Sequence, residues 1–249
     1  GEQEDYKTFL ERSQNYKNVF DPTTKFMRGR YRNTWFAPFD PYEVNFNYTK
    51  ANSWQYSFYV PHDITGFTNL QGGKDQLEKQ LDKLFIADDK TSGRAQADIT
   101  GLIGQYAHGN EPSHHMAYLY NFVNKPYKTQ EKTRQILTEL YTNSPDGVSG
   151  NEDCGQMSAW YIFSSLGFYP VTPGSNQYII GSPLFDKATI HLEDGKLFTV
   201  EAKNNSLENK YIKNVQLNNK AYPYSYLKHS DIVNGGNLVF EMTDRPTNW

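Results

Sequence analysis

SPDGVSGNEDCGQMSAWYIFSSLGFYP, residues 144–170, joins a polar loop to a strongly apolar segment. The apolar side chains recur about every three residues, at Met157, Trp160, Phe163 and Leu166. Gly167 stands where a left-handed residue commonly ends a helix, and Pro170 follows where the helix can no longer continue. The pattern therefore predicts a largely buried helix that begins near Gly155 and ends before Gly167.

The loop before this helix brings two carboxyl groups and an amide together in Asn151, Glu152 and Asp153. Gly150 and Gly155 flank them, and glycines allow sharp turns that can direct neighbouring side chains into one cavity. Two interpretations stay open at this point. Asp153 is either a functional carboxylate positioned at the mouth of the helix or only the residue that caps it.

Length and composition restrict the class of protein. The chain has 249 residues, enough for one large domain or slightly more, and its formal net charge is −3. This charge gives no electrostatic reason to expect nucleic acid or an anionic membrane as a partner. No apolar run reaches the length of a membrane span. Aromatic residues make up 15% of the chain, which suits stacking on sugar rings but is equally compatible with half-buried surface.

The first two thirds of the chain predict a series of about seven helices connected by loops that hold the unusual residues. Before the helix after Gly155, periodicity and breakers predict helices over residues 5–17, 48–60, 74–86 and 98–107, a helix opened by Pro112, and a helix over 126–142. Thr49 is the expected cap of the second helix. Residues 26–41 show neither period and predict a long ordered loop.

The period changes after Pro173. Short runs rich in β-forming residues alternate with pairs such as Asp194-Gly195 and Gly235-Gly236, which are typical of hairpin turns. We therefore predict a mainly α fold with appended β structure. Its helical region covers residues 1–174 and a small antiparallel β module covers residues 175–249. Helical hairpins that present polar loops at one end are typical of an α/α toroid, although an ordinary helical array would give the same pattern.

Four loop carboxylates are available for chemistry: Glu43, Glu111, Glu152 and Asp153. A glycosidase needs one carboxylic acid to protonate the leaving oxygen and one carboxylate to attack or to activate water. The inventory is adequate for that reaction, but four such residues are commonplace in a protein of this size.

Histidines and the single cysteine suggest other chemistry. Adjacent histidines inside a helix point about 100° apart, so His114 and His115 cannot easily share a zinc ion, and we favour roles in the core or in hydrogen bonding to a ligand for them and for His108. A calcium site that uses oxygens of Asn110 and Glu111 is more plausible. The acidic neighbours of Cys154 disfavour a thiolate nucleophile, so we predict a small buried residue there.

Three long motifs resemble one known family. They are YTKANSWQYSFYVPHDITG at 48–66, DITGLIGQYAHGNEPSHHMAYLYNF at 98–122 and GNEDCGQMSAWYIFSSLGFYPVTPGSNQYIIGSPLF at 150–185. Together they closely resemble the family 92 glycoside hydrolases, which are calcium-dependent exo-α-mannosidases that invert the anomeric centre. The resemblance covers essentially the whole chain. It implies part of an (α/α)6 barrel followed by β strands, with the family's N-terminal β-sandwich and first barrel helices missing from this chain.

The resemblance also implies roles for individual residues. Asp153 matches the family's general base, with Glu152 and Asn151 in the same loop. The residues expected to line the mannose pocket are Trp54, Gln55, His108, Asn110, Glu111, His114 and Asn151, and Asn110 and Glu111 are also the expected calcium ligands. Lys50 stands where the family pattern has the glutamate that donates a proton, and this departure puts cleavage of ordinary mannosides in doubt.

Two functional hypotheses follow from the resemblance. The first is hydrolysis of terminal α-linked mannose from glycans, in N-glycan degradation outside the cytoplasm, by a periplasmic or secreted enzyme of which this chain is a part that is inactive by itself. The second is a non-catalytic mannose-binding relative or a hydrolase of mannose 1-phosphate-type substrates, because Lys50 replaces the expected acid.

Overall fold

The computed structural model describes residues 2–247 and 249, which form two units divided between Ser113 and His114. This division differs from the predicted boundary at residue 174, which stays a prediction. The structure combines helices with several small sheets, so the mainly α expectation holds only in part. None of the helices within the described residues has both the length and the apolar character that a membrane span requires.

The first unit contains four helices and eight very short strands. The helices are α1 (Gln3–Arg12), α2 (Ser53–Tyr56), α3 (Ile64–Gln71) and α4 (Lys74–Ile86). The strands are β1 (Phe20–Asp21), β2 (Phe26–Met27), β3 (Arg30–Tyr31), β4 (Thr34–Trp35), β5 (Glu43–Val44), β6 (Ser92–Gly93), β7 (Leu102–Ile103) and β8 (Tyr106–Ala107). A 3-10 helix, Asn15–Val19, follows α1, and another, Glu111–Ser113, ends the unit.

Helix α4 forms with the bounds that the sequence predicts. Its apolar residues Leu77, Leu81 and Leu84 fall on one face and are fully buried. Helix α1 is also confirmed but ends at Arg12 rather than near residue 17, and none of its residues is buried. Burial of an apolar face therefore stabilises α4, whereas α1 has no such face in the core.

The helix predicted over residues 48–60 is wrong. Only the four residues of α2 are α-helical, and Asn52 rather than Thr49 caps them by accepting a hydrogen bond from the Gln55 N–H. The reason is tertiary: Ser53 Oγ donates to the Met27 carbonyl and Ser57 Oγ accepts from the Met27 N–H. These contacts anchor the segment to β2 instead of continuing the helix.

The helix predicted over residues 98–107 is also wrong, because the segment folds into a hairpin of β7 and β8. Gly101 and Gly104 have φ values of 60° and 59°, which a helix interior does not contain. A Cβ on Gly104 would lie 2.5 Å from the Leu84 carbonyl oxygen. The hairpin therefore depends on glycine where the chain passes close to the end of α4.

The second unit contains the remaining four helices and eight strands. The helices are α5 (Leu119–Phe122), α6 (Pro126–Glu139), α7 (Gln156–Leu166) and α8 (His229–Val233). The strands are β9 (Phe168–Tyr169), β10 (Gln177–Ile180), β11 (Lys187–His191), β12 (Leu197–Lys203), β13 (Tyr211–Leu217), β14 (Lys220–Ala221), β15 (Tyr226–Lys228) and β16 (Gly236–Thr243).

Helices α6 and α7 confirm their predictions. Pro126 is at the first position of α6, where its missing N–H costs no helical hydrogen bond. Gly167 ends α7 with φ of 93°, as the glycine pattern indicates. The continuous helix expected after Pro112 does not form, because residues 116–118 adopt a 3-10 helix and only α5 follows it.

The strands after Pro173, joined by β9 just before it, form two sheets rather than one antiparallel module. The larger sheet has the order β11-β12-β16-β13-β14, and β12 pairs with β16 in parallel, so the antiparallel prediction is wrong for that pair. The smaller sheet has the order β15-β10-β9. Buried side chains of both sheets, among them Phe168, Phe198 and Phe240, form one core.

Candidate active site

In the first unit, Lys50 lies close to two carboxylates, those of Glu111 and Asp98. Its ammonium nitrogen lies 3.4 Å from Oε2 of Glu111 and 4.0 Å from Oδ1 of Asp98. Gln96 Nε2 donates to the other oxygen of Asp98 at 2.6 Å. Lys50 and Glu111 are 36% and 39% exposed at their side chains, so this ion pair itself stabilises the fold by only about 0–1 kcal/mol.

Helix α2 carries Trp54 and Gln55 and packs against the segment that holds Glu111. The helix contacts the 3-10 helix Glu111–Ser113 and strand β8. Asn52, its cap, also donates a 2.8 Å hydrogen bond to Gln105 Oε1. A short helix that is held at its cap and along its side keeps its side chains in one orientation.

Buried polar atoms without a partner are concentrated in these same segments. Within residues 2–247 and 249, they include Trp54 Nε1, both amide atoms of Gln55, both amide atoms of Asn110 and Ser113 Oγ. Gln55 and Asn110 have no exposed surface. A buried polar group left without a hydrogen bond costs about 1–3 kcal/mol, so these side chains are candidates for contacts with a ligand.

His108 is buried and held by an aromatic neighbour. Its Nδ1 lies 2.8 Å from the Tyr106 hydroxyl, and the two rings stack at 5.9 Å. These contacts place His108 in the core of the first unit, and hydrogen bonding from it to a ligand stays a prediction. No group of three histidine, cysteine, aspartate or glutamate side chains in the described part of the chain is arranged to hold a metal ion.

In the second unit, the acidic loop before α7 has an unusual backbone. Asp153, Cys154 and Gly155 have φ values of 55°, 56° and 100°, three successive residues with positive φ. Asp153 and Cys154 pay a cost for this conformation, which recurs most often at functional sites. Asp153 is exposed, as is Asn151.

Glu152, not Asp153, caps helix α7. Its Oε2 accepts a 2.5 Å hydrogen bond from the Gly155 N–H, and its Oε1 accepts from the Ser158 N–H at 3.3 Å. The Ser158 hydroxyl and these N–H donors hold the pKa of the Glu152 carboxyl below its usual value. The carboxylate that caps the start of α7 is therefore that of Glu152, and the functional role of Asp153 stays a prediction.

The prediction for Cys154 is wrong. The residue is exposed, whereas we predicted that it would be buried. The left-handed backbone from Asp153 to Gly155 turns the loop outward at this point, which residue size alone does not reveal.

His114 is fixed by two residues of α7. Its Nδ1 lies 3.0 Å from Gln156 Nε2, and its carbonyl oxygen accepts a 3.0 Å hydrogen bond from Trp160 Nε1. The sequence interpretation missed both Gln156 and, in the first unit, Asp98. Gln156 could have been found as the residue one helical turn before Trp160, whereas no sequence signal distinguishes Asp98.

The predicted site residues thus fall into two groups. Lys50, Trp54, Gln55, His108, Asn110 and Glu111 belong to the first unit, whereas His114, Asn151, Glu152 and Asp153 belong to the second.

Comparison with known proteins identifies the family to which this chain belongs. A family model described as the glycosyl hydrolase family 92 catalytic domain matches residues 1–244. The chain is 43% identical to the family GH92 α-mannosidase BT3965 from Bacteroides thetaiotaomicron, with a TM-score of 0.89, over 100% of this chain and 32% of that one. It is 36% identical to the family GH92 inverting mannosidase BT2199 of the same organism, with a TM-score of 0.87, over 100% of this chain and 35% of that one.

A fungal relative is more distant. The chain is 28% identical, over 272 aligned residues, to an uncharacterized secreted glycosidase of Arthroderma benhamiae, covering 98% of this chain and 33% of that protein. The chain therefore spans about a third of the length of these relatives.

Proposed function

The chain belongs to glycosyl hydrolase family 92, and from that premise we propose that it contributes to an α-mannosidase that removes terminal α-linked mannose from glycans. We further propose that the reaction inverts the anomeric centre, that calcium assists it, and that the helices form part of an (α/α)6 barrel. The enzyme would act in the periplasm or outside the cell. This chain would be one part of it and inactive in isolation.

One observation carries the proposal most directly: the unpartnered buried polar atoms at Trp54, Gln55, Asn110 and Ser113. A sugar offers hydroxyl groups that both donate and accept, so it can satisfy amide oxygens, amide nitrogens and an indole N–H together. The indole ring of Trp54 additionally gives an apolar face of the kind that stacks on a sugar. A purely apolar ligand would leave these groups unsatisfied.

The proposed base is Asp153. Activation of water requires a carboxylate, and Asp153 is the member of the acidic loop whose side chain is not engaged as the helix cap. Glu152 then supports the mechanism by fixing the start of α7 and the strained turn that carries Asp153. Asn151 offers its amide to a substrate hydroxyl. His108 and His114 would provide further hydrogen bonds to the sugar.

The residues proposed for calcium fit the ion in kind. Asn110 has a buried amide oxygen without a partner, and Glu111 has a carboxylate, and calcium prefers such oxygens. Glu111 also pairs with Lys50, so one of its oxygens already faces a positive charge. When bound, calcium would supply positive charge that polarises sugar hydroxyls. Asn110 and Glu111 would hold it, and the remaining binding groups act on the sugar directly.

A second function is favoured by the identity of Lys50, which stands where the family pattern has the proton-donating glutamate. An ammonium group in place of a carboxylic acid is a weaker proton donor near neutral pH. It can instead pair with a phosphate that leaves without protonation. The alternative proposal is therefore a hydrolase of mannose 1-phosphate-type substrates or a non-catalytic mannose-binding relative.

The deciding experiment uses the whole protein in which this chain occurs. Mannose release is measured from alkyl α-mannosides, nitrophenyl α-mannoside and mannose 1-phosphate in the presence of calcium, and mannose binding is measured by calorimetry. Release from all three substrates supports the mannosidase. Release confined to the activated substrates, or binding without release, supports the alternative. Absence of both release and binding would overturn the proposed function.

A further inference from the structure

A cavity of about 260 Å³ lies in the first unit, between the chain around β2 and the residues that follow α2. Four tyrosines line it together with an arginine and an asparagine: Tyr16, Tyr48, Tyr56, Tyr59, Arg28 and Asn47. Sites for drug-sized ligands have volumes of about 300–1,000 Å³, so this cavity has room for a single ring rather than for an extended chain.

Tyr56 connects this cavity to residue 50. Burial raises the pKa of the Tyr56 hydroxyl, and hydrogen bonds from the Thr49 side chain and from the Lys50 backbone N–H oppose that shift. The hydroxyl therefore lies against the backbone of the residue that the family pattern assigns to protonation of the leaving oxygen. The leaving group of a glycoside must lie beside the group that protonates its oxygen. A cavity whose wall reaches residue 50 is thus placed to receive that leaving group.

Two of the tyrosine rings are held in place through their hydroxyls. The Tyr16 hydroxyl donates to Oδ2 of Asp63 at 2.9 Å, and the Tyr48 hydroxyl donates to the Met27 carbonyl oxygen at 2.7 Å. Because these hydroxyls are engaged by the protein, both residues offer the cavity their ring faces. Such faces pack against the C–H groups of a sugar ring, and rings that are already fixed lose little entropy on binding.

The charge of Arg28 is compensated by the protein itself. Its Nη1 atom lies 2.9 Å from Oδ2 of Asp21, which is 2% exposed, and its Nε and Nη2 atoms donate to the Phe36 carbonyl oxygen. A phosphate would have to compete with this buried carboxylate for the guanidinium. Asn47, in contrast, is exposed and has an amide that can both donate and accept. The lining therefore suits a neutral ring that carries hydroxyl groups.

We propose that this cavity binds a neutral sugar ring on the leaving-group side of the bond that the enzyme cleaves. The proposal rests on the proposed function, which supplies the cleaved mannoside. The cavity, its lining and the contact of Tyr56 with residue 50 are properties of the first unit alone. Among the candidate substrates, it favours glycans in which a second sugar follows the terminal mannose over mannose 1-phosphate.

Calorimetry on the whole protein in which this chain occurs tests the proposal. The ligands are methyl α-mannoside, mannose 1-phosphate and sulfur-linked α-mannobioses of each linkage, which resist cleavage during the titration. Contact with one additional ring should make at least one mannobiose bind about two- to tenfold more tightly than methyl α-mannoside. Mannose 1-phosphate should gain no affinity from the cavity.

Two variants separate the cavity from the rest of the site. Tyr59→Ala removes a lining ring that is 50% exposed, and Asn47→Trp places a bulky side chain at the exposed rim. Both should abolish the additional affinity for mannobiose and leave the affinity for methyl α-mannoside unchanged. Tyr31→Ala removes an exposed tyrosine of β3 that does not line the cavity, so it is the matched control and should keep the additional affinity.

The outcomes distinguish this proposal from the proposed function. Equal affinity of the native protein for methyl α-mannoside and every mannobiose would overturn the proposal, as would an additional affinity that survives in both cavity variants. An additional affinity for mannose 1-phosphate that the cavity variants remove would overturn the assignment of a neutral ligand. Absence of binding to all of these ligands would instead contradict the proposed function, and the proposal would fall with it.

Discussion

The ammonium nitrogen of Lys50 and the Oε2 atom of Glu111 are 3.4 Å apart, although 61 residues separate them in the chain. The Oδ1 atom of Asp98 lies 4.0 Å from the same nitrogen. Replacing this cation by a carboxylate would therefore place three acidic groups close together. Like charges disfavour full ionisation, so one of the three would keep a proton at a higher pH than an isolated carboxyl does.

Lys50→Glu should consequently create a proton donor. We expect its turnover of alkyl α-mannosides to rise by up to about 10²- to 10⁴-fold, because general acid catalysis contributes a factor of that size. Nitrophenyl mannoside needs little protonation and should respond much less. Initial rates on both substrates measure the difference, with Lys7→Glu on the exposed helix α1 as the control. An equal response of both substrates would show that position 50 is not the acid site.

Asp153→Asn should abolish turnover while mannose binding persists. An amide preserves hydrogen bonding to hydroxyls but lacks the basicity that activates water, and loss of a general base typically lowers rates by about 10²- to 10⁴-fold. Turnover and calorimetric affinity are measured on the same preparation. Asp146→Asn, in an exposed part of the preceding loop, is the matched control. Activity of Asp153→Asn within a few-fold of the native protein would remove Asp153 from the mechanism.

The lowered pKa of Glu152 predicts a pH dependence of stability. Its carboxylate accepts hydrogen bonds that only the folded chain offers, first of all from Ser158 and then from Gly155, so the folded pKa lies below the ordinary glutamate value of about 4.3. The stabilising contribution is complete above that ordinary value and is lost as the pH falls through the folded pKa.

Thermal melting between neutral pH and strongly acidic pH tests this prediction. Glu152→Gln should melt below the native protein at neutral pH, and the difference should shrink as the pH falls below about 4.3. Glu4→Gln, on exposed α1, should show no such convergence. A constant difference between Glu152→Gln and the native protein at every pH would contradict the assignment of the cap.

Arg134 is expected to be essential for the second unit. It is buried and donates to the carbonyl oxygens of Pro183 and Ser206 and to Asn205 Oδ1 at 2.9 Å, which joins α6 to the loops of the larger sheet. Arg134→Leu leaves these acceptors without a donor at about 1–3 kcal/mol for each one that water does not reach.

Denaturant unfolding of Arg134→Leu should therefore show a loss of at least about 2 kcal/mol. Arg245→Leu removes an arginine that is 86% exposed at its side chain and should change the free energy of unfolding by less than about 0.5 kcal/mol. Similar unfolding midpoints for the two variants would mean that the Arg134 contacts add little to the stability of this unit.

Elements that carry their own signals could be predicted from the sequence. Helices α4, α6 and α7 have contiguous apolar periodicity, and Pro126 or Gly167 marks one end of two of them. The longer strands after Pro173 were equally visible, because strand-forming runs and turn pairs are local features, whereas the two-residue strands before Pro173 were not predicted. The family could also be identified from three continuous motifs.

Local signals failed where distant groups compete for the backbone or side chain. Ser53 and Ser57 bind Met27 and limit α2 to four residues, and Gly104 lies against the end of α4 and turns residues 98–107 into a hairpin. Hydrogen bonds to partners tens of residues away leave no periodic trace in a sequence. The parallel pairing of β12 with β16 was hidden for the same reason.

The candidate site divides in the same way. The sequence by itself determined which residues could do chemistry, including the acidic loop, the HGNEPSHH segment and the lysine at position 50. Only the tertiary structure decided how they are used: Glu152 rather than Asp153 caps α7, Glu111 pairs with Lys50, and Gln156 orients His114. The physical reason is that residue type sets which bonds a group can form, whereas the packing of distant segments sets which of those bonds are within reach.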